Sequence, residues 1–288
     1  MNLRQLPTIV LTLAITALSA CGDSTPSQPT PVPPATTPPA GAGAAAKAPP
    51  PTTTQLLMRS HFEKAVEARS ALIADDMDGA RTAMAWLALN DAGQNELPEV
   101  LRPHLVGMRE AAGTFGAATT FSQAGESFAS MLTHCGDCHA EAHTGPRFPD
   151  NPAPQGTALR DRMRKHAWAA DRLWEGLILR DQSRYDEAAR FLADVVVRAD
   201  ELPPNTNDPV RVQAVADNVR ALAATGLAAT DWPTRAQTYG KFLATCATCH
   251  RMMGVTALVR AGLVAQPPAQ PLPPAPPPSG SSGAPSGN

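Results

Sequence analysis

The stretch that decides the fold runs from Thr120 to Ala140 and reads TFSQAGESFASMLTHCGDCHA. A break at Gly116 precedes it, and the segment that follows predicts one helix ending in the pattern Cys135-Gly-Asp-Cys138-His139. The same pattern returns 111 residues later (246 minus 135) as Cys246-Ala-Thr-Cys249-His250. The chain therefore contains two similar helices that each carry two cysteines and a histidine.

Cys-x-x-Cys-His is the attachment signature of c-type haem. Two thiols three residues apart on a helical turn can reach both vinyl groups of one porphyrin, and the adjacent histidine then faces the iron. A single motif would also fit a redox dithiol or half of a zinc site. Two motifs without the further cysteines of a four-ligand zinc site favour two covalently bound haems c, held by Cys135, Cys138, Cys246 and Cys249.

The chain upstream of each motif is an internal repeat. Met58-Arg-Ser-His61 matches Met163-Arg-Lys-His166 at an offset of 105 residues, and this offset holds as far as Glu96-Leu-Pro98 against Glu201-Leu-Pro203. Six extra residues around positions 205–209 then raise the offset to 111. The pattern indicates a tandem duplication with one haem per copy.

Each copy is predicted to contain four helices, and no alternating pattern favours a sheet, so the fold class is all-α. Short connections favour antiparallel neighbours and hence two tandem four-helix bundles. We place the first domain at 55–144, a proline-containing linker at 145–157 and the second domain at 158–265. The predicted helices are 56–74, one capped by Asp78 and ending at Leu89, 99–115, 120–140, 158–179, 185–199, 209–225 and 234–253.

Each copy resembles the cytochrome c-prime (class II c-type cytochrome) family, a four-helix bundle with Cys-x-x-Cys-His near the end of its fourth helix. The resemblance covers about 55–143 and 158–254. It implies that His139 and His250 are the proximal iron ligands and that haem fills the centre of each bundle. A buried porphyrin would also explain why only 5% of the residues are aromatic.

The residue on the far side of the iron separates electron carriers from gas-binding proteins. The resemblance places that residue on the first helix of each copy, where Met58 and His61, and equally Met163 and His166, lie three residues apart on one helical face. The family usually has methionine or an apolar residue there, so histidine is a departure. Three arrangements stay open: ligation by His61 and His166, ligation by Met58 and Met163, or an open or blocked site.

Other polar residues are weaker candidates. His104 has no histidine at the matching position of the second copy and is expected at the surface, and His134 faces the same objection because the matching residue is Thr245. Arg59 and Arg164 fit either pairing with haem propionates or plain exposure to solvent.

The N-terminus predicts export. Residues 1–20 have a basic start, a short apolar run and small residues before Cys21, as in a secretory signal peptide. Leu18-Ser-Ala-Cys21 resembles the bacterial lipobox, which implies lipidation of Cys21 and a membrane-anchored periplasmic lipoprotein. By the same resemblance, Gly22 after the cysteine favours the outer membrane. The alternative is an ordinary signal with a chance cysteine. Proline-rich composition predicts a disordered tether at 21–54 and a disordered tail at 266–288.

The expected function is electron transfer in the periplasm. The 288-residue chain has a formal net charge of −2 and no basic run, which argues against nucleic-acid binding. We expect redox proteins and the membrane as partners and no enzymatic activity, since nothing resembles a dihaem peroxidase beyond the haem count. A nitric oxide- or carbon monoxide-binding protein with five-coordinate haem is the alternative.

Overall fold

The structure is a computed structural model that describes residues 51–91, 93–204 and 206–265. Across these residues it is all-helical and contains no strand, which confirms the predicted fold class. The predicted signal peptide, Cys21, most of the tether and the tail at 266–288 lie outside the described residues. Among the helices that are described, none combines the length and apolar character needed to cross a membrane.

Eight long helices follow the repeat, four in each copy, and a shorter one comes after them. The first copy contains α1 (Thr53–Ile73), α2 (Met77–Leu89), α3 (Arg102–Thr114) and α4 (Phe121–Glu141). The second copy contains α5 (Leu159–Leu179), α6 (Gln182–Asp194), α7 (Pro209–Ala228) and α8 (Trp232–Met252), followed by α9 (Thr256–Ala265). The eight predicted helices are confirmed, whereas α9 was not predicted and α6 ends five residues earlier than expected (199 minus 194).

Side-chain caps fix where the motif-bearing helices begin. At α4 the hydroxyl of Thr120 accepts from the backbone N–H of Gln123. The side-chain oxygen of Gln123 accepts in turn from the backbone N–H of Thr120, and the two bonds form a capping box. At α8 the carboxylate of Asp231 accepts from the backbone N–H of Thr234 at 2.8 Å. The prediction that Asp78 caps α2 is wrong. Asp76 does so instead, accepting from the Gly79 amide at 3.0 Å.

The two copies pack directly against each other, chiefly through α4 and α8. A Cβ atom added to Gly125 of α4 would lie 2.8 Å from the carbonyl carbon of Gly240 on α8, so the two backbones meet where neither residue has a side chain. Buried residues of both copies form one continuous hydrophobic cluster. All the described residues belong to one compact unit, and the boundaries 55–144 and 158–265 stay predictions of where each haem-binding unit begins and ends.

The segment between the copies is packed onto them. Phe148 is buried, with its ring 5.9 Å from that of Phe62 on α1. The carboxylate of Asp150 pairs with Arg172 of α5, and the carbonyl of Asn151 accepts from the indole N–H of Trp168 at 3.0 Å. These contacts tie 145–157 to both copies.

Candidate functional site

A cleft in the first copy brings together the residues that the sequence nominated. Cys135, Cys138 and His139 at the end of α4 face Met58 and His61 on α1 across a mainly apolar cleft that opens to solvent. Cofactor sites are typically apolar with a few convergent polar groups, as here. Helix α5 of the second copy also lines this cleft, through Trp174 and Ile178.

His61 is a buried imidazole with a free nitrogen. Only 8% of the residue is exposed, and its ring meets the edge of Trp86 at 5.7 Å. Burial, helped by the positive charge of Arg109, lowers the pKa of His61 to about 4, so the ring is neutral at pH 7. Within the described residues, Nε2 of His61 has no hydrogen-bond partner. A neutral imidazole with an unused Nε2 is the form that ligates iron.

His139 is held by a backbone oxygen. Its Nδ1 lies 3.2 Å from the carbonyl oxygen of Ile178, which can only accept, so Nδ1 carries the proton and donates it. Burial lowers the pKa of His139, and the bond to Ile178 opposes this shift. With the proton on Nδ1 of the neutral ring, Nε2 keeps its lone pair.

The second copy repeats this arrangement. Nδ1 of His250 donates to the carbonyl oxygen of Ile73 at 2.7 Å. His166 is half-buried as a residue, but its Nε2 is buried and has no partner among the described residues. Burial, helped by electrostatic repulsion from the nearby His250, lowers the pKa of His166 to about 4. The structure thus brings together His166 and His250, as it does His61 and His139.

The four cysteines of the described part are free thiols rather than a disulfide set. Burial, together with the neighbouring Cys138 and Cys249, raises the pKa of Cys135 and of Cys246 to about 12. A redox-active dithiol requires a lowered pKa instead. These surroundings favour uncharged sulfur, such as that of a thioether.

His104 and His134 were weaker candidates in the sequence, with His104 expected at the surface, and the side chain of His104 is 22% exposed. Both line the cleft of the first copy, and Nε2 of His104 lies 2.6 Å from the carboxylate of Glu141. The ring of His134 packs against Gly107 of α3, where there is room only for a glycine. A Cβ at Gly107 would lie 2.6 Å from Nδ1 of His134. A glycine in the middle of α3 was the signal in the sequence that could have located this contact.

The remaining candidates divide between the surface and the cleft. Arg59 and Arg164 have side chains 53% and 62% exposed and pair with Glu63 and Asp161 of their own helices, which supports the solvated alternative. Met58 lines the cleft, so its thioether stays available as a ligand.

Comparison with known proteins gives no relative for this chain. No model of a known protein family matches it, and neither any curated protein nor any solved structure does so.

Proposed function

We propose that the chain is a dihaem c-type cytochrome that carries electrons through two covalently bound haems and has no enzymatic activity. Cys135 and Cys138 would hold one porphyrin with His139 as proximal ligand; the matching set is Cys246, Cys249 and His250. The cofactor supplies the one-electron chemistry, while the protein supplies ligation, burial and orientation. This proposal includes the expectation that each copy is a four-helix bundle around its haem.

The observation that carries the proposal is the free Nε2 on both first-helix histidines. A buried polar nitrogen without a partner costs about 1–3 kcal/mol, and such atoms are rare in folded proteins. Six buried side-chain atoms of the described residues lack a partner, and two of them are the Nε2 atoms of His61 and His166, which are equivalent positions of the repeat. An iron bond would satisfy both at once. Because it would fill the sixth position, it favours an electron carrier over a gas-binding protein.

The optical and paramagnetic-resonance spectra of the purified protein test this assignment. We expect two covalent haems per chain, both low-spin with two histidine ligands. His61→Ala and His166→Ala should each convert one of the two haems to the high-spin form, because each removes one sixth ligand. His143→Ala is the matched control, since His143 is exposed, and it should leave both spectra unchanged.

Two further measurements separate the alternatives. Unchanged spectra in both histidine variants, together with high-spin signals in Met58→Leu and Met163→Leu, would transfer the sixth ligand to methionine. Rapid and complete carbon monoxide binding at both haems of the reduced parent protein would support the gas-binding function and reject the carrier.

The same proposal extends to location and partners. The lipobox-like Cys21 lies outside the described residues, and on the sequence we propose a periplasmic lipoprotein, anchored through Cys21 to the outer membrane, that exchanges electrons with redox proteins. Radiolabelled palmitate incorporated into the parent but not into Cys21→Ser would support the anchor.

A further inference from the structure

The backbone oxygen that orients each motif histidine belongs to the other copy. His139 of the first copy donates to Ile178 of α5, and His250 of the second copy donates to Ile73 of α1. Ile73 and Ile178 are equivalent positions of the repeat (178 minus 73 is 105), as are His139 and His250 (250 minus 139 is 111). Each copy therefore supplies the carbonyl oxygen that binds the motif histidine of the other copy.

These carbonyl oxygens are available because they lie at the ends of helices. The last carbonyls of an α-helix have no donor within the helix, and the end of the helix carries a partial negative charge. Helix α1 ends at Ile73 and α5 ends one residue after Ile178. After each of the two helices the backbone turns at a residue with positive φ, Asp75 at 58° and Arg180 at 54°, and these two are again equivalent positions of the repeat.

Each contact between a helix end of one copy and the motif helix of the other, here called a junction, also contains an ion pair. Arg180 pairs with Asp137, which lies inside the first Cys-x-x-Cys-His motif, and also donates to the carbonyl of Thr133 at 2.6 Å. Asp75 pairs with Arg251, directly after the second motif, at 2.8 Å. Each helix end is therefore fixed to the motif helix of the other copy by a charged side chain as well as by the histidine.

We infer that the helix end of each copy positions the proximal histidine of the other copy and lowers the reduction potential of the haem bound there. This inference rests on the proposed function. A carbonyl that accepts from Nδ1–H makes the imidazole a stronger electron donor to the iron, which favours the oxidised form. The negative end of the helix also stabilises the oxidised form, so both effects lower the reduction potential. The two haem sites are then completed only by the contact between the copies.

Gly136 offers a way to loosen one junction alone. A Cβ at this position would lie 2.5 Å from the carbonyl oxygen of Leu177 and 2.8 Å from the guanidinium carbon of Arg180. Gly136→Ala should therefore push the end of α5 away from α4 and lengthen the bond between His139 and Ile178. Gly113→Ala is the matched control, because its Cβ would meet Ala88 at an ordinary 3.9 Å.

The experiment is a redox titration of the full chain with both haems attached. We expect Gly136→Ala to raise the potential of one haem and to speed hydrogen exchange at Nδ1–H of His139 but not of His250, while Gly113→Ala changes neither. Unchanged potentials and exchange in Gly136→Ala with two haems attached would overturn the inference. A parent protein that contains no covalent haem would instead reject the proposed function.

A measurement on the unaltered protein covers the case in which Gly136→Ala does not fold. In the reduced protein, magnetic resonance should show a cross-peak between Nδ1–H of His139 and the α-proton of Ile178, and another between His250 and Ile73. Rapid exchange of both Nδ1–H protons with solvent in the parent would contradict the inference.

Discussion

The cleft of the first copy is lined by two of its own histidines and by a tryptophan of the second copy, and none of the three is repeated at the equivalent position. At the matching positions of the repeat, the chain has different residues: Val215 for His104, Thr245 for His134 and Arg69 for Trp174. Both copies nevertheless keep the paired histidines and the bond from Nδ1 to a carbonyl of the other copy. The repeat thus keeps the histidine positions while the residues around them differ, so the proposed function leads us to expect two haems of unequal potential.

One divergent pair of equivalent residues lies where the two copies meet. The guanidinium of Arg69 lies 5.6 Å from the ring centre of Trp174, its equivalent in the other copy. Arg69 also donates to the hydroxyl of Tyr239 at 2.7 Å, whereas Trp174 stacks on Phe128 at 5.8 Å. Phe128 and Tyr239 are equivalent positions too (239 minus 128 is 111). One polar pair and one aromatic pair therefore fill the centre, and each pair joins residues of both copies.

The largest expected effect comes from separating the two copies. In Gly240→Ala the new Cβ would lie 2.7 Å from the carbonyl carbon of Gly125, and neither backbone can move without parting α4 from α8. We expect the steric cost to be about 3 kcal/mol, at the upper end for overpacked sites. The free energy of unfolding in denaturant measures it against Gly113→Ala, which shares the gain in helix propensity. Equal stability of the two variants would show that the contact between α4 and α8 is loose.

A smaller loss of stability is expected when the polar pair between the copies, Arg69 and Tyr239, is broken. Arg69→Met keeps the length of the side chain but leaves the buried hydroxyl of Tyr239 without its donor and Asp171 without its partner. Because the carboxylate of Asp171 is half-exposed, most of the cost falls on Tyr239, about 2 kcal/mol. Combining Arg69→Met with Tyr239→Phe should recover part of it, since Phe128 already occupies the equivalent position. A double variant less stable than Arg69→Met would contradict this account.

The helices and the positions of the candidate ligands could be located because both leave local signals in the sequence. Apolar periodicity and breaks at residues such as Gly116 located eight helices, and the repeat drew attention to His61 and His166 together. The cap of α2 was misassigned because Asp76 and Asp78 are both suitable residues, and the choice depends on the backbone turn through Asp75. Helix α9 was missed because it follows the last motif and has no counterpart in the first copy.

The contact between the copies could not be predicted in the same way. A repeat predicts the same helices twice but carries no information on how the copies meet, so the carbonyls of Ile73 and Ile178 gave no signal. One trace did exist. Aligning the copies pairs Arg69 with Trp174, a replacement of a charge by an indole that a matching core position would not tolerate. Such a mismatch is a reasonable marker for a position that faces its own equivalent.

The smallest effects compare the two ion pairs that join the copies. The side chain of Arg180 is 8% exposed, so Arg180→Met leaves Asp137 and the carbonyl of Thr133 without their donor. The cost should be about 1 kcal/mol, because Nε and Nη1 of Arg180 are themselves buried without a partner and their removal offsets part of the loss. Arg251 is 53% exposed, and Arg251→Met should cost less than about 0.5 kcal/mol.

The dependence of stability on salt concentration distinguishes the same two ion pairs. Exposed charges are screened at high ionic strength, whereas buried ones are screened far less. The small loss in Arg251→Met should therefore vanish in 1 M salt, roughly ten times the ionic strength at which the Debye length is about 10 Å. The loss in Arg180→Met should persist, because that guanidinium is buried. Equal salt dependence in both variants would mean that the ion pairs at Asp137 and at Asp75 are equally open to solvent.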